Sequence, residues 1–252
     1  MYEQQLLTAL RVQFEKQRAE ILGNASTKRF KAYGTRRVTK ADKKDYLAAL
    51  LTWAAYDAAM AASIAPILYS LIVETGKTAT GDLNLDPSMF NGTTPEVLAY
   101  YQDRANRIAT DVDAETEKQL RATLGQGIDN NESDDELQAR IEIVMGAALT
   151  YRADRIARTE VTRAQGFADV EAWTQSGIVY GKEWYAILDE RTCPWCNSLD
   201  GTIVSLDSDF LSLGDVLTVD GKSLNISYDD VGEPPAHVMC RCRLLDVTVP
   251  LF

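Results

Sequence analysis

Five side chains in the last quarter of the sequence have the types and spacing of a metal site. They are Cys193, Cys196, His237, Cys240 and Cys242. They read C-P-W-C and, after forty further residues, H-V-M-C-R-C. A C-x-x-C turn places two thiolates at about the separation that a tetrahedral zinc ion requires. The chain has no other cysteine or histidine, so we predict one zinc site formed by four of these five residues.

The spacing leaves open which four residues bind zinc, because zinc takes four ligands and five are present. Four thiolates would leave the imidazole as a supporting group, whereas three thiolates with His237 would leave one cysteine spare. Cys240 and Cys242 point to the same face if their segment is extended. His237 could come round in the turn that Pro234-Pro235 makes. A small module of strands and turns gains folding free energy from zinc, so we expect a structural ion.

Catalytic uses of these residues fit the sequence less well. A catalytic zinc keeps one coordination position open beside a general base. The zinc deaminases place H-x-E before P-C-x-x-C, whereas here the only histidine comes after it. H-E-x-x-H needs two histidines. A thioredoxin-like use of C-P-W-C needs a βαβ pattern, and helix precedes it here. We therefore expect no enzyme, no catalytic residue and no small-molecule substrate.

The elements that must position the site are short strands. After Gly177, four segments rich in β-branched or aromatic residues are separated by Gly, Asp and Pro, as in strands joined by turns. They cover residues 183–188, 202–206, 224–227 and 244–249. Residues 177–252 thus form a small β-rich Cys/His zinc module.

The rest of the chain has the apolar periodicity of helices. We predict an N-terminal helical arm over 1–74, a linker over 75–94 and a helical region over 95–176. Thr94-Pro95 is typical of a helix start, Gly125 to Asn131 of a turn, and Ser133 with Glu136 of a capping box. The fold class is α+β, with mainly helical N-terminal two-thirds and a small C-terminal strand-rich module.

One apolar stretch, residues 47–73, is long enough to cross a bilayer. Asp57 lies inside it, Pro66 interrupts it, and much of its apolar content is alanine. An aspartate at the centre of a spanning helix costs about 2.5–3.5 kcal/mol on insertion scales. We therefore expect two core helices hinged near Pro66 and no membrane span. The start, MYEQQLL, has no pattern of a secretory signal.

The charge of the chain is unevenly distributed. Residues 1–45 hold 11 basic and 5 acidic residues, giving +6, and the rest gives −17, which together make the net charge of −11. Such a basic segment can neutralise phosphates, although a solvated loop has the same pattern. A DNA or acidic-protein contact would use the basic residues of the loop over 28–44: Lys28, Arg29, Lys31, Arg36, Arg37, Lys40, Lys43 and Lys44.

Motifs over residues 149–246 resemble those of the Mu F-like phage minor head proteins, also called the phage head morphogenesis family. A-R-T-E over 157–160, followed by Arg163-Ala164 and Gly166, resembles a helix of that family. The similarity continues, in order, through Lys182, Trp184, Asp189-Glu190-Arg191-Thr192-Cys193, Cys196, Leu199-Asp200-Gly201, Pro234-Pro235, His237 and Cys240-Arg241-Cys242. Val238 departs from the family, which usually has proline after the histidine.

The resemblance implies a non-catalytic virion protein inside the capsid near the portal vertex, present in the host cytoplasm during assembly. Such proteins act in head assembly and in DNA packaging or ejection. The implied partner is the phage portal protein, with packaged DNA and the major capsid protein as further candidates. With ten residues after Cys242, we expect no effector domain. A zinc-containing nucleic-acid-binding protein and a DNA-processing enzyme remain as alternatives.

Overall fold

The structure, a computed structural model, describes residues 1–25, 53–130 and 132–248. Its first part is helical, and the bounds of its helices are as follows: α1 Tyr2–Ala25, α2 Trp53–Asp82, a 3₁₀ turn at Pro87–Met89, α3 Pro95–Asp129, α4 Asp134–Ala147, a π-helical turn at Ala148–Arg152, and α5 Ala153–Ser176. The basic residues predicted for a partner contact lie outside the described residues.

The last part of the chain holds the strands. They are β1 Gly181–Tyr185, β2 Ile203–Ser205, β3 Val216–Val219, β4 Lys222–Asn225 and β5 Arg243–Val247, with a short helix α6 at Pro194–Leu199. The α+β class with a helical N-terminal part and a strand-rich C-terminal part is therefore confirmed.

Two compact units are present. Of the described residues, the helical unit contains 3–25, 53–67, 101–130 and 132–154, and the mixed unit contains 68–100 and 155–248. The first residues of α2, up to Ile67, belong to the helical unit, and the remainder of that helix belongs to the mixed unit.

Helix α2 is longer and more continuous than the sequence indicates. It runs through Pro66 without ending, so the expected pair of helices is one helix. Met60, Ile64, Leu68 and Ile72 are buried at intervals of four residues, and this burial outweighs the backbone hydrogen bond that a proline removes.

The same helix also covers residues 75–82, where a loop is expected. Gly76 indicates a turn in the sequence, but in the structure it allows a close approach. A Cβ atom at Gly76 would lie 2.4 Å from the Phe90 ring. The glycine therefore allows Phe90 to pack against the helix. Irregular chain begins only after Asp82.

The starts of α3 and α4 form as predicted. Thr94 Oγ1 accepts a hydrogen bond of 3.3 Å from Val97 N, and Ser133 with Glu136 makes both hydrogen bonds of a capping box. The turn expected at residues 125–131 is largely helical, since α3 continues to Asp129. Leu120 and Leu124 are buried near this end. Their burial outweighs the cost of the glycines, because each glycine inside a helix costs only about 1 kcal/mol.

A three-stranded antiparallel sheet forms the centre of the strand-rich part, in the order β2-β1-β5. Trp184 of β1 is fully buried beside its cross-strand neighbour Leu244. A separate antiparallel hairpin joins β3 to β4. Strand β3 was not predicted, because its alternating exposed and half-buried residues follow directly after a run of turn residues. The predicted strand over 183–188 ends at Tyr185.

Of the described helices, α2 has the length and hydropathy that a membrane-spanning helix would need. Core helices of soluble proteins pass the same test, and one third of its most apolar window is buried. This is weak evidence for a membrane span.

Candidate metal centre

The first half of the site is the C-P-W-C segment, which folds as the start of α6. Cys193 is the N-cap residue, and its Sγ accepts a hydrogen bond of 3.2 Å from Cys196 N. Pro194 occupies the first position of the helix, where a proline costs no hydrogen bond. The resulting turn brings both sulfur atoms to one side, with Cys196 buried and Cys193 half-buried.

His237 faces these two cysteines. Its Nε2 lies 3.0 Å from Cys193 Sγ and 3.1 Å from Cys196 Sγ. Its Nδ1 lies 2.9 Å from the carbonyl oxygen of Val238. A proton on Nδ1 satisfies that carbonyl and leaves the Nε2 lone pair directed at the sulfur atoms, which is the tautomer that a metal-binding histidine needs.

Cys240 and Cys242 complete the group from the end of the chain. Both are buried, and Cys196 Sγ lies 3.7 Å from Cys240 Sγ. The ligand atoms fall into two triads, Cys193–Cys196–His237 and Cys196–Cys240–Cys242, each within 4.8 Å. Cys196 belongs to both triads. The structure thus brings all five predicted residues together.

The space and the donor set fit a zinc ion. A cavity of about 30 Å³ is lined by all five residues. Two sulfur atoms on a tetrahedral zinc with bonds of about 2.3 Å are about 3.8 Å apart, close to the separation of Cys196 and Cys240. The buried Nε1–H of Trp184 lies beside Cys242 and has no hydrogen-bond partner other than this sulfur among the described residues. A thiolate at Cys242 would accept this hydrogen, as a metal-bound sulfur does.

Electrostatics within the triad of thiols also favour a cation. The pKa of Cys196 is raised, first by its hydrogen bond with Cys240 and then by Cys242 and burial. The pKa of Cys240 is lowered, first by the hydrogen bond from Cys196. Three adjacent buried thiols cannot all ionise by themselves, whereas a divalent metal ion stabilises all of them as thiolates.

A bidentate ion pair ties the two halves of the site together. Arg241, between two candidate ligands, donates from both terminal nitrogens to Asp189, with N···O distances of 2.7 and 2.5 Å. This pair and the backbone N–H of Arg191 hold the pKa of Asp189 well below its usual range. Thr192 Oγ1 also accepts from Asp189 N and donates to the Ile187 carbonyl. The turn that leads into Cys193 is therefore fixed from both sides.

Helix α5 supports the turn that carries His237 and Cys240. Thr159 Oγ1 accepts a hydrogen bond of 3.1 Å from Met239 N, and Thr162 Oγ1 donates one of 3.4 Å to the Cys240 carbonyl. Both threonines are buried. Gly166 lies further along the helix, where a Cβ atom would come within 2.8 Å of Glu233 Cγ.

Sequence reasoning found the five candidate ligands but not the residues that hold them. Thr159 and Trp184 lie in the motifs that resemble the family, but their roles, and that of Thr162, come only from the structure. Thr159 and Thr162 lie three positions apart and thus on one face of a helix.

Comparison with known proteins adds the family. The profile of the family described as Phage Mu protein F like protein matches residues 118–245. The chain matches no curated protein and no solved structure. The matched range includes all five candidate ligands, the Arg241–Asp189 pair and the threonines of α5. Since the match covers half of the chain, the protein belongs to the Phage Mu protein F like family, a family of phage head morphogenesis proteins.

Proposed function

We propose that this chain is a structural minor head protein of a tailed phage, located in the capsid interior near the portal vertex. It acts in head assembly and in DNA packaging or ejection, through contact with the portal protein. Packaged DNA and the major capsid protein are further partners, and the basic residues between 28 and 44 are candidates for such a contact. The family match over residues 118–245 supports the association with phage heads.

The number of metal-binding side chains in the Cys/His group supports a structural rather than a catalytic role. Five thiol and imidazole side chains surround a cavity of about 30 Å³, and zinc takes four ligands. No coordination position is then left for water or substrate, as a catalytic zinc would require. The site binds one zinc ion through four of Cys193, Cys196, His237, Cys240 and Cys242.

The zinc ion stabilises the fold of the module. Cys196, Cys240 and Cys242 belong to the same buried cluster as Trp184 and Ile226. Small cores of this kind gain much of their stability from a metal, because the binding free energy becomes folding free energy. The ion would thus keep the strand-rich module rigid for a contact in the phage head.

The experiment is to test for the protein in purified particles. Phage are produced with the wild-type chain, with Cys196→Ser and with the neighbouring exposed substitution Asn197→Ser, and particles are purified on a density gradient. We expect mass spectrometry to detect the wild type and N197S in the particles, and C196S to be depleted. Labelling of an intact head should place the protein at one vertex.

Two results would contradict the proposal. Absence of the wild-type chain from particles that contain the portal protein would exclude a role as a virion component. Zinc-dependent cleavage of DNA by the purified protein would favour an enzyme instead, since a closed structural site has no exchangeable position.

A further inference from the structure

A buried polar layer crosses the helical unit, far along the sequence from the cysteines. Gln17 of α1 is fully buried, and Asp113 of α3 is 2% exposed. Gln17 Nε2 donates a hydrogen bond of 2.7 Å to Asp113 Oδ1. The carboxyl group of Asp57, on α2, lies within hydrogen-bonding reach of the Asp113 carboxyl group. Three helices thus contribute one polar side chain each to the same buried place.

Three buried oxygen atoms of this layer have no hydrogen-bond partner among the described residues: Gln17 Oε1, Asp57 Oδ1 and Asp113 Oδ2. Two of them belong to the pair of carboxyl groups. Two carboxylates offer only acceptors, so they cannot bond to each other when both are ionised. A single proton between them supplies the missing donor and removes one of two adjacent negative charges.

Among the described residues, the cation that acts on Asp113 is Arg152, which is already engaged elsewhere. Arg152 donates to Thr116 Oγ1 and to the Val112 carbonyl oxygen, each at 3.2 Å. Its guanidinium also lies over the ring of Phe14. It acts on Asp113 through its charge and not through a direct hydrogen bond. Within the described part of the chain, the charge of Arg152 is balanced when Asp57 and Asp113 carry one negative charge between them.

The other charged groups around the layer do not replace the missing proton. Tyr56 donates its hydroxyl hydrogen to Glu20, and burial, this hydrogen bond and the charge of Asp113 raise the pKa of Tyr56 to about 12. Glu115 faces Arg152 and adds only negative charge. Burial, and after it the contact with Asp57, raise the pKa of Asp113 to about 7.

We propose that Asp57 and Asp113 share one proton, and that this shared proton is a pH-dependent lock between α1, α2 and α3. The lock goes beyond the head-protein function and is independent of the metal centre. With the proton, Gln17, Asp113 and Asp57 form one continuous hydrogen-bonded chain across three helices. Without it, two carboxylates repel each other inside the core and the helices separate more readily.

The direction of the pH effect follows from linkage. Asp113 has a higher pKa in the folded chain than in the unfolded chain, so the folded state binds more protons between the two values. The stabilising effect is complete below the unfolded value of about 4 and is lost as pH rises through the folded value. Above neutral pH the lock is open.

Hydrogen exchange of the full, zinc-loaded chain tests this lock. Peptides from α1 and α3 report on the helical unit alone. Their exchange rates are first corrected for the intrinsic pH dependence of exchange. We expect opening to increase by up to about tenfold per pH unit between about pH 5 and 7 and then to level off. Carboxyl ¹³C NMR should show that Asp113 titrates near pH 7.

Asp113→Asn is the informative variant, because its amide keeps the oxygen that accepts from Gln17 and donates where the shared proton lies. D113N should be as protected at high pH as the wild type is at low pH, with no pH slope. If D113N does not fold, Asp57→Asn provides the same test. Asp111→Asn, at an exposed position two residues away, should retain the slope of the wild type.

Three results would overturn the lock. One is an Asp113 carboxyl that titrates in the ordinary aspartate range. Another is the same pH slope in D113N as in the wild type. The third is a slope that disappears when Na⁺, K⁺ or Mg²⁺ replaces a bulky organic cation in the buffer, which would assign a bound metal ion to the pair.

Discussion

The hydroxyl oxygen of Thr159 accepts a hydrogen bond from the backbone N–H of Met239, eighty residues further along the chain, at 3.1 Å. Met239 has a φ angle of +65°, in the left-handed region that non-glycine residues adopt at a cost of about 1–3 kcal/mol. This strained residue lies between His237 and Cys240, so the helix stabilises the conformation that places two candidate ligands.

Thr159→Val should therefore weaken the site. Valine has the same shape but cannot accept a hydrogen bond, so the N–H of the half-buried Met239 loses its partner. Such a loss costs up to about 1–3 kcal/mol, the value for a fully buried donor. We expect a lower free energy of unfolding of the zinc-loaded protein in denaturant titration, together with faster release of zinc to a chelator.

The control for this variant is Thr174→Val on the same helix. Thr174 is exposed, and its hydroxyl donates only to the Val170 carbonyl oxygen in its own helix. T174V should change neither the unfolding free energy nor the rate of zinc release. Equal effects of the two substitutions would mean that the hydrogen bond of Thr159 within its own helix, and not its hydrogen bond with Met239, is responsible for the change.

Serine substitutions of the five candidate ligands should not be equivalent. Cys196 belongs to both triads of ligand atoms, so its Sγ lies within 4.8 Å of the ligand atoms of all four other candidates. We expect C196S to lose zinc completely. One variant among Cys193→Ser, His237→Ser, Cys240→Ser and Cys242→Ser should still bind one zinc ion per chain, because only four ligands are needed.

Elemental analysis after dialysis measures the zinc content of each variant, and Asn197→Ser controls for the substitution itself. A full equivalent of zinc in C196S would contradict the prediction that zinc binding requires Cys196. Loss of zinc from all five variants would mean that no candidate ligand is spare.

The candidate ligands could be predicted from the sequence because cysteine and histidine are scarce in this chain and their chemistry is narrow. Their supports could not, because a threonine or glycine has many uses. Thr159 is an ordinary helix residue until the position of Met239 is known. Gly76 indicates a turn in the sequence, yet in the structure it lies inside α2 against the Phe90 ring.

The helical unit shows the same limit. The buried positions of α2 follow the apolar period, and the capping box at Ser133 follows a local pattern that needs no tertiary contact. The contact of Asp57 with Asp113 joins two residues that are fifty-six positions apart and lie on different helices, and no local pattern indicates it. In the sequence, Asp57 is only a charge that argues against a membrane span.

Arg241→Lys should loosen the connection between the two halves of the site. Arginine bonds to both oxygens of Asp189, whereas a lysine provides a single point of contact. Loss of a residue that supports metal ligands typically lowers metal affinity by about 10–100-fold. A zinc competition titration with a chromogenic chelator measures this change.

Arg191→Lys is the matched control for that substitution. Arg191 is 71% exposed and its guanidinium lies 3.9 Å from Asp189, so its ion pair is weak in water. R191K should keep the affinity of the wild type. If both variants lose affinity to the same extent, the net charge near Asp189 and not the bidentate geometry determines metal binding.

Two glycine-to-alanine substitutions should have opposite effects on stability. At Gly166 an added methyl group would lie 2.8 Å from Glu233 Cγ and 3.1 Å from the Pro234 carbonyl oxygen. The clash is partly with backbone, so α5 or the segment leading to His237 must shift, at a cost of about 1–3 kcal/mol. At Gly146 in α4 an added methyl group meets nothing within 4 Å, and alanine favours a helix by about 1 kcal/mol over glycine.

Hydrogen exchange resolves the two effects, because peptides from α5 and from α4 report on different parts of the chain. G166A should lower protection in α5 and speed the release of zinc, while G146A should raise protection in α4 and leave zinc release unchanged. Unchanged protection in G166A would mean that α5 does not need its close approach to the segment at Glu233, and that the threonine hydrogen bonds alone hold the turn with His237.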